Sequence, residues 1–384
     1  MKRLNNFQLL LLNILRRSQM QKQLLFLLIS LFVHYNTFAI IPPELNKPDS
    51  INDGPYIFNV HNNFKAMWIE NSVLREDIIV PQNYAEIKKS FNLLCNYKDL
   101  KEVYSIKRNY TQSYTNVDSI GVITDIHGEY NSYLNLLMST GIIDKNLNWN
   151  FGRGHLVVLG DIFDRGDMVT EVLWHLFGLE KQAAKAGGMV HVLLGNHGLM
   201  VLNKDVRYIN EKYKKVEEIS ETEYSDLFSE NSVLGKWLRS NPVMITINNI
   251  IFVHAGLSIE MIQKDLKIKQ INRIFSNKII GKEMARICEN ENLLFLYNEK
   301  GPLWYRGYFT DTNFNESKLD SILNYYGKKH IIVGHTPFND IKSLYNNKIF
   351  GVDAGLMNGL SGEMLIYKNG VFYKGLITGE RIKL

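Results

Sequence analysis

Five short stretches of this chain carry side chains suited to holding metal ions, and all five have the same form. An apolar run ends, a glycine stands beside its end, and Asp, His or Asn follows. Asp125 and His127 stand in TDIHG after SIGVI, and Asp161, Asp164 and Arg165 stand in GDIFDRGD after HLVVL. Asn196 and His197 stand in GNHG after HVLL, His254 follows IIFV, and His335 stands in VGHT. Carboxylate and amide oxygens with imidazoles, and no thiolate, suit first-row divalent ions such as Mn, Fe or Zn. The donors are too many for one ordinary site and suit two ions sharing a bridging carboxylate. Two ions about 3.5–4 Å apart lower the pKa of a shared water, hold a phosphoryl oxygen and stabilise an in-line displacement. A lone Asp or Asn after a strand is usually a turn or cap residue, but the recurrence of one pattern five times argues against that for the set. His155, His175, His191 and His330 fall outside the pattern and read as core or surface residues.

Strand ends must position these groups. SIGVIT, HLVVLG, MVHVLLG, IIFVHAG and HIIVGH are short apolar runs closed by Gly or a polar residue, as buried strands are. Between them Tyr130, Leu134, Leu137 and Met138 recur at i, i+4, i+7 and i+8, one face of a helix. Further helices are expected at 168–186, 199–215, 224–240 and 316–327. GPYIFNV and FKAMWIE alternate like short strands, and strands return in KIFGVD, GEMLIY and GVFYKG. Strands alternating with helices, then a run of strands, predict a layered α/β fold with mixed sheets. In such folds the carboxyl ends of the strands build the site. The polar stretch 203–232 reads as a solvated helical face, with a helical insertion near the mouth of a site as the alternative.

The chain has 384 residues, 45% hydrophobic and 22% charged, ordinary for a folded protein of one to three domains. Its formal charge of +5 is carried by Lys2, Arg3, Arg16, Arg17 and Lys22, so the remainder is neutral and argues against a nucleic-acid partner. Behind those bases runs LLFLLISLFV, ending near NTFA, the layout of a secretory signal peptide over residues 1–39, with Met20 as an alternative start. Cleavage after it would leave no membrane anchor and a periplasmic or secreted protein; an uncleaved anchor is the alternative. Residues 40–117 read as an N-terminal extension with short strands, and 118–384 as the catalytic domain. Cys95 and Cys288 either form one disulfide or stay free thiols, and neither lies near the motifs.

The ordered set DIHG, GDIFDRG, GNH, HAG and GHT resembles the calcineurin-like metallophosphoesterase superfamily, and its DRG is similar to the phosphoprotein phosphatase family. DGPYIF, LMVLNKDVRYIN, VLGKWLRSNPVMI and GPLWYRGYF resemble the Shewanella-like bacterial branch. The resemblance spans about residues 53–375 and implies two stacked mixed sheets flanked by helices. It implies that Asp125, His127 and Asp161 hold one divalent ion. Asp161 would bridge to a second, completed by Asn196, His254 and His335. His197 would be the general acid, oriented by Asp164. Arg165 and Arg306 would grip the phosphate, with Asn196 also touching substrate. A hydroxide bridging the ions would attack directly, with no phosphoenzyme. The implied activity is hydrolysis of phosphoprotein or phosphopeptide esters, with a leaning toward phosphotyrosine. Hydrolysis of dinucleoside polyphosphates or other small phosphate esters is the alternative, and an inactive phospho-ligand binder a third reading. Gly198 departs from the family's usual Glu, which would leave His197 less firmly held, and Ala255 replaces a common Gly. Pro337 stands where many superfamily members carry a second histidine, which disfavours a phosphodiesterase.

Overall fold

Apolar runs that do not alternate become strands buried on both faces. A computed structural model describes residues 50–384 except 62, 107, 108, 360 and 361, so the leader expected at 1–39 lies outside the described residues. Three antiparallel strands come first: β1 (Asp53–Val60), β2 (Asn63–Glu70) and β3 (Val73–Ile79). Then follow β4 (Ser113–Tyr114), β5 (Ser119–Ile123), β6 (His155–Val158), β7 (Met189–Val192), β8 (Met244–Ile247), β9 (Ile250–Val253) and β10 (His330–Val333). The chain closes with β11 (Lys342–Leu344), β12 (Ile349–Gly351), β13 (Glu363–Lys368), β14 (Val371–Leu376) and β15 (Arg381–Lys383). One six-stranded sheet runs β15-β14-β13-β5-β6-β7 and the other β11-β12-β10-β9-β8-β4. Both are mixed: β5, β6 and β7 are parallel, while β13 joins β5 antiparallel. In the second sheet β10 lies parallel to both β9 and β12.

The two sheets are stacked. Val122, Val157 and Leu193 of the first meet Ile245, Phe252 and Ile332 of the second in one buried cluster. Their strand neighbours Ile123, Leu156 and Val158 point the other way, into the helical layer. Each such side chain contributes about 1.5–3 kcal/mol by leaving water, so both faces demand apolar residues. The fold is therefore the α/β sandwich of two mixed sheets that the motif pattern led one to expect.

The expected helices at 130–138 and 168–186 form as Tyr130–Ser139 and Val169–Lys185, and the last as Glu316–Tyr326. Two others differ. The helix expected over 199–215 is two, Asn196–Leu202 and Glu211–Ser220; Asn210 starts the second by accepting from the Lys212 amide. The segment 224–240 likewise divides into a 3-10 turn, Tyr224–Phe228, and a helix, Val233–Ser240. There the Ser232 hydroxyl accepts from the Gly235 amide at 3.0 Å. Capping side chains satisfy the free amides of a new helix start and so override a continuous apolar period. The stretch 203–232 has a solvated face at Glu211, Lys214, Lys215 and Glu218, but its other side is packed, with Tyr213, Tyr224 and Phe228 fully buried. Cys95 and Cys288 are both free, one buried and one exposed. Among the described residues no helix is long and apolar enough to cross a membrane.

Candidate active site

Five strand ends converge. Asp125 and His127 follow β5; Asp161, Asp164 and Arg165 follow β6; Asn196 and His197 follow β7; His254 follows β9 and His335 follows β10. The turns are tight enough that Asp125, His127, Asp161, Asp164, Arg165 and His335 all have φ between 47° and 71°. A non-glycine residue held there stores about 1–3 kcal/mol and persists only where its surroundings over-determine it. They do so here. The His127 amide donates to the Asp161 carbonyl at 2.9 Å, and the His335 amide to the Asp125 carboxylate at 2.9 Å. Gly160 makes the crossing possible: at φ 114° a Cβ on it would stand 2.4 Å from the Gly195 nitrogen and 3.1 Å from the His254 ring.

The donor atoms face one another. Asp161 Oδ2 lies 3.3 Å from His254 Nε2, 3.9 Å from His197 Nε2 and 4.0 Å from His127 Nε2. Asp125 Oδ1 lies 4.0 Å from the same His127 nitrogen, and Asn196 Oδ1 lies 2.8 Å from His254 Nε2. The sets Asp161–His254–His335 and His127–Asp161–His197 each have their ligand atoms within 4.8 Å of one another. Two backbone carbonyls fix the rings. His127 Nδ1 donates to the Phe163 carbonyl at 2.7 Å and His254 Nδ1 to the Leu159 carbonyl at 3.0 Å, which turns each Nε2 inward.

The electrostatics suit cations. Burial alone would raise the Asp161 carboxyl, but the imidazoles of His254, His197 and His127 outweigh it and hold it below the usual range. Burial would lower His254; Asp161 outweighs that and raises it to about 9, so Nε2 carries a proton that a divalent ion would replace. Burial and then His254 push His335 down to about 2, leaving a neutral ring whose buried Nε2 has no hydrogen-bond partner. An orphaned imidazole nitrogen, two more Nε2 atoms oriented by carbonyls and a shared carboxylate form a donor set that fits divalent metal.

Beside this cluster, His197 Nδ1 and Asp164 Oδ2 are 2.5 Å apart. Burial would lower the His197 pKa, but that bond and the charge of Asp161 outweigh it and raise it. Arg165 and Arg306 both line the cavity, about 500 Å³, that opens onto Asp161 and His197. Arg306 Nη1 donates to the His335 carbonyl at 2.7 Å, and Arg165 Nη1 to Met357 Sδ at 2.9 Å. His155 and His191 stand apart, bonded to each other at 3.0 Å, while His175 bonds the Tyr133 hydroxyl and His330 the Asn347 carbonyl.

Sequence reasoning missed Asp353. It follows β12, is 2% exposed, lines the same cavity, and its Oδ1 has no hydrogen-bond partner. Burial and then the Asp125 carboxylate push it up to about 8. IFGVDAG has the strand–Asp–Gly form of the other five, and that likeness was the available signal. Gly198 sits in the first turn of helix Asn196–Leu202, where a Cβ would touch only Leu194 and Phe163 at 3.7 Å. Gly198→Ala is therefore expected to raise stability by about 0.5–1 kcal/mol, read as an upward shift of the denaturant midpoint at unchanged slope.

The stacked sheets and a shared carboxylate among imidazoles define a metallophosphoesterase. Residues 119–339 match the calcineurin-like phosphoesterase family, and the chain belongs to it. It is a metal-dependent phosphatase. Over 273 residues it is 30% identical to Shewanella-like protein phosphatase 1 of Plasmodium berghei, covering 69% of this chain and 74% of that one. The cold-active protein-tyrosine phosphatase of a psychrophile Shewanella sp. has a crystal structure that matches with a TM-score of 0.79 at 34% identity, over 87% of this chain and all of that one. A symmetrical bis(5'-nucleosyl)-tetraphosphatase of Chromobacterium violaceum is 29% identical over 239 residues, 62% of this chain and 74% of that one.

Proposed function

We propose that the chain hydrolyses phosphomonoesters of proteins or peptides, phosphotyrosine among them. The observation that carries this reading is the shape of the cavity beside Asp161. Trp304, Arg306 and His335 also line a second cleft of about 520 Å³, which gives room for chain beyond the phosphorylated residue. Tyr208, 52% exposed, has its ring 5.5 Å from that of His197, and the Trp304 ring lies 5.9 Å from His335. Two aromatic faces at the mouth favour an aryl leaving group.

In this reading Asp125, His127 and Asp161 hold one divalent ion, and Asp161, Asn196, His254 and His335 the other. The ions, when bound, activate a water and neutralise charge on the phosphoryl group. Arg165 and Arg306 hold the remaining phosphoryl oxygens with their planar forks, and Asn196 lines the same cavity. His197 donates a proton to the leaving oxygen from Nε2 while Asp164 holds Nδ1. Manganese fits the oxygen and imidazole set as well as iron or zinc does. The basic and apolar leader supports export to the periplasm or beyond.

The test is phosphate release from matched phosphotyrosine, phosphoserine and phosphothreonine peptides by chain 40–384 with added manganese. Release from the phosphotyrosine peptide, at a rate above the other two, is the expected result. Release only from a dinucleoside tetraphosphate would overturn the proposal in favour of that substrate class.

A further inference from the structure

The DGPYIF stretch at the start of β1 takes no part in the site described so far, yet it reaches the loop that carries Asp164 and Arg165. Asp53 is 5% exposed; its Oδ2 accepts from the Tyr56 hydroxyl and its Oδ1 lies 2.8 Å from Lys212 Nζ. Lys212 is itself mostly buried, and the same ammonium donates to the Asp167 carbonyl at 2.6 Å. Next to it, the Tyr213 hydroxyl donates to the Asp167 carbonyl at 3.0 Å and accepts from the Val169 amide at 2.7 Å. Asn210 Nδ2 donates to the Arg165 carbonyl at 2.7 Å, and the Arg165 amide donates to the Tyr208 carbonyl at 3.2 Å. One short segment, 208–213, thus grips residues 165–169 from behind, and Asp53 anchors it through Lys212.

The grip falls where the backbone needs it. Asp164 and Arg165 are consecutive non-glycine residues at φ 71° and 67°. Such a pair relaxes unless its neighbours hold it, and its relaxation would carry away the carboxylate beside His197 and the guanidinium at the cavity. Buried groups joined by a charge-assisted bond to a carbonyl are suited to that work.

We propose that Asp53 and Lys212 are positioning residues for the phosphate-binding loop, fixing Asp164 and Arg165 without touching substrate. This rests on the phosphatase reading of the site. It gives the DGPYIF strand a part in catalysis and ties activity to the packing of the N-terminal sheet.

The variant that tests it is Asp53→Asn with Lys212→Met, which removes both charges of the pair; Glu171, 3.9 Å from Lys212 Nζ and already pushed up to about 7 by burial, loses its cation with them and is expected to take up a proton. Its bound metal is expected to match the parent's, because neither residue touches the ligands. The inhibition constant for inorganic phosphate is expected to rise about tenfold and kcat/KM to fall roughly 10- to 100-fold, as a displacement of about 1 Å would produce. Adding Arg165→Ala is expected to cost the variant less than about threefold further, against its full effect in the parent chain. General loosening would instead multiply the two effects. Lys212→Arg, which keeps a donor to Asp167, is expected to retain most activity. By hydrogen exchange, the Gly166 and Val169 amides are expected to exchange at least about tenfold faster in the variant, with β5–β7 unchanged. Amides protected as in the parent, or multiplicative effects, would overturn the proposal. If the double change prevents folding, Lys212→Met alone and Asp53→Asn alone carry the same exchange readout. If the parent itself releases no phosphate from any ester, the phosphatase reading fails, and the exchange rates alone decide the positioning role.

Discussion

Asp161→Asn is expected to leave a folded chain that binds less than two equivalents of metal and has lost at least about 10⁴-fold of its phosphate release. The substitution keeps the shape and keeps Oδ1, which accepts from the His197 amide at 3.0 Å. What it removes is the charge shared by His127, His197 and His254, all within 4.0 Å of Oδ2. Removing one partner of a buried ionic cluster leaves the others uncompensated, so His254 is expected to lose much of its raised basicity too. Metal analysis on the purified variant and a malachite-green assay on an aryl phosphate measure both effects. Two equivalents of metal retained, with turnover near that of the parent, would show that Asp161 bridges nothing.

For His197→Ala the expected result depends on the leaving group. A general acid contributes about 10²–10⁴-fold, and that factor is needed most when the departing oxygen is strongly basic. Release from phenyl phosphate is expected to fall by the full factor, whereas p-nitrophenyl phosphate, whose leaving group departs without a proton, loses far less. The pH profile carries the same information. Asp164 and the Asp161 charge, outweighing burial, raise His197 above its ordinary value of about 6.5. The acid acts only while protonated, so kcat is expected to hold through neutral pH and fall as pH rises through that raised value. By the same sign, the stability that the His197–Asp164 bond supplies is complete below about 6.5 and is lost as pH climbs through the raised value. Asp164→Asn removes the first of these two causes and is expected to move the falling limb to lower pH. Equal loss on both esters, or a limb that does not move, would remove His197 from the acid's role.

The sequence made most of this site legible because its physics is local. Runs such as HLVVL and IIFV must be buried on both faces, and a run of that kind can end only in a turn at the edge of the sheet. Asp, His and Asn at five such ends therefore meet without any long-range knowledge. Asp353 escaped although KIFGVD was read as a strand, because no glycine directly precedes it, as one does Asp161, and no His or Asn follows it, as His127 follows Asp125. The division of 199–215 was hidden by apolar periodicity, although Asn203 and Asn210 stand at the break. The burial of Tyr213 and Tyr224 was masked by the charged residues that share their helices. Asp164 lies 2.5 Å from the His197 ring, where the motif resemblance put it.

The strand ends belong to two different sheets. Asp125, Asp161 and Asn196 hang from β5, β6 and β7, His254 and His335 from β9 and β10, and the Asp125 carboxylate already meets the His335 amide across 210 positions of chain. In the proposed assignment Asp125, His127 and Asp161 would hold one ion from the first sheet alone, while the ion held by Asp161, Asn196, His254 and His335 would act as a rivet between the layers of the sandwich. A ligand bound only by the native state adds RT ln(1 + [L]/Kd), about 2.7 kcal/mol at a hundredfold excess over Kd. The chain's melting point is then a gauge of the metal around it. A chain missing the second layer would lack His254 and His335, so uptake of the second ion would report that both layers are in place, and hydrolytic power would arrive only with the finished sandwich.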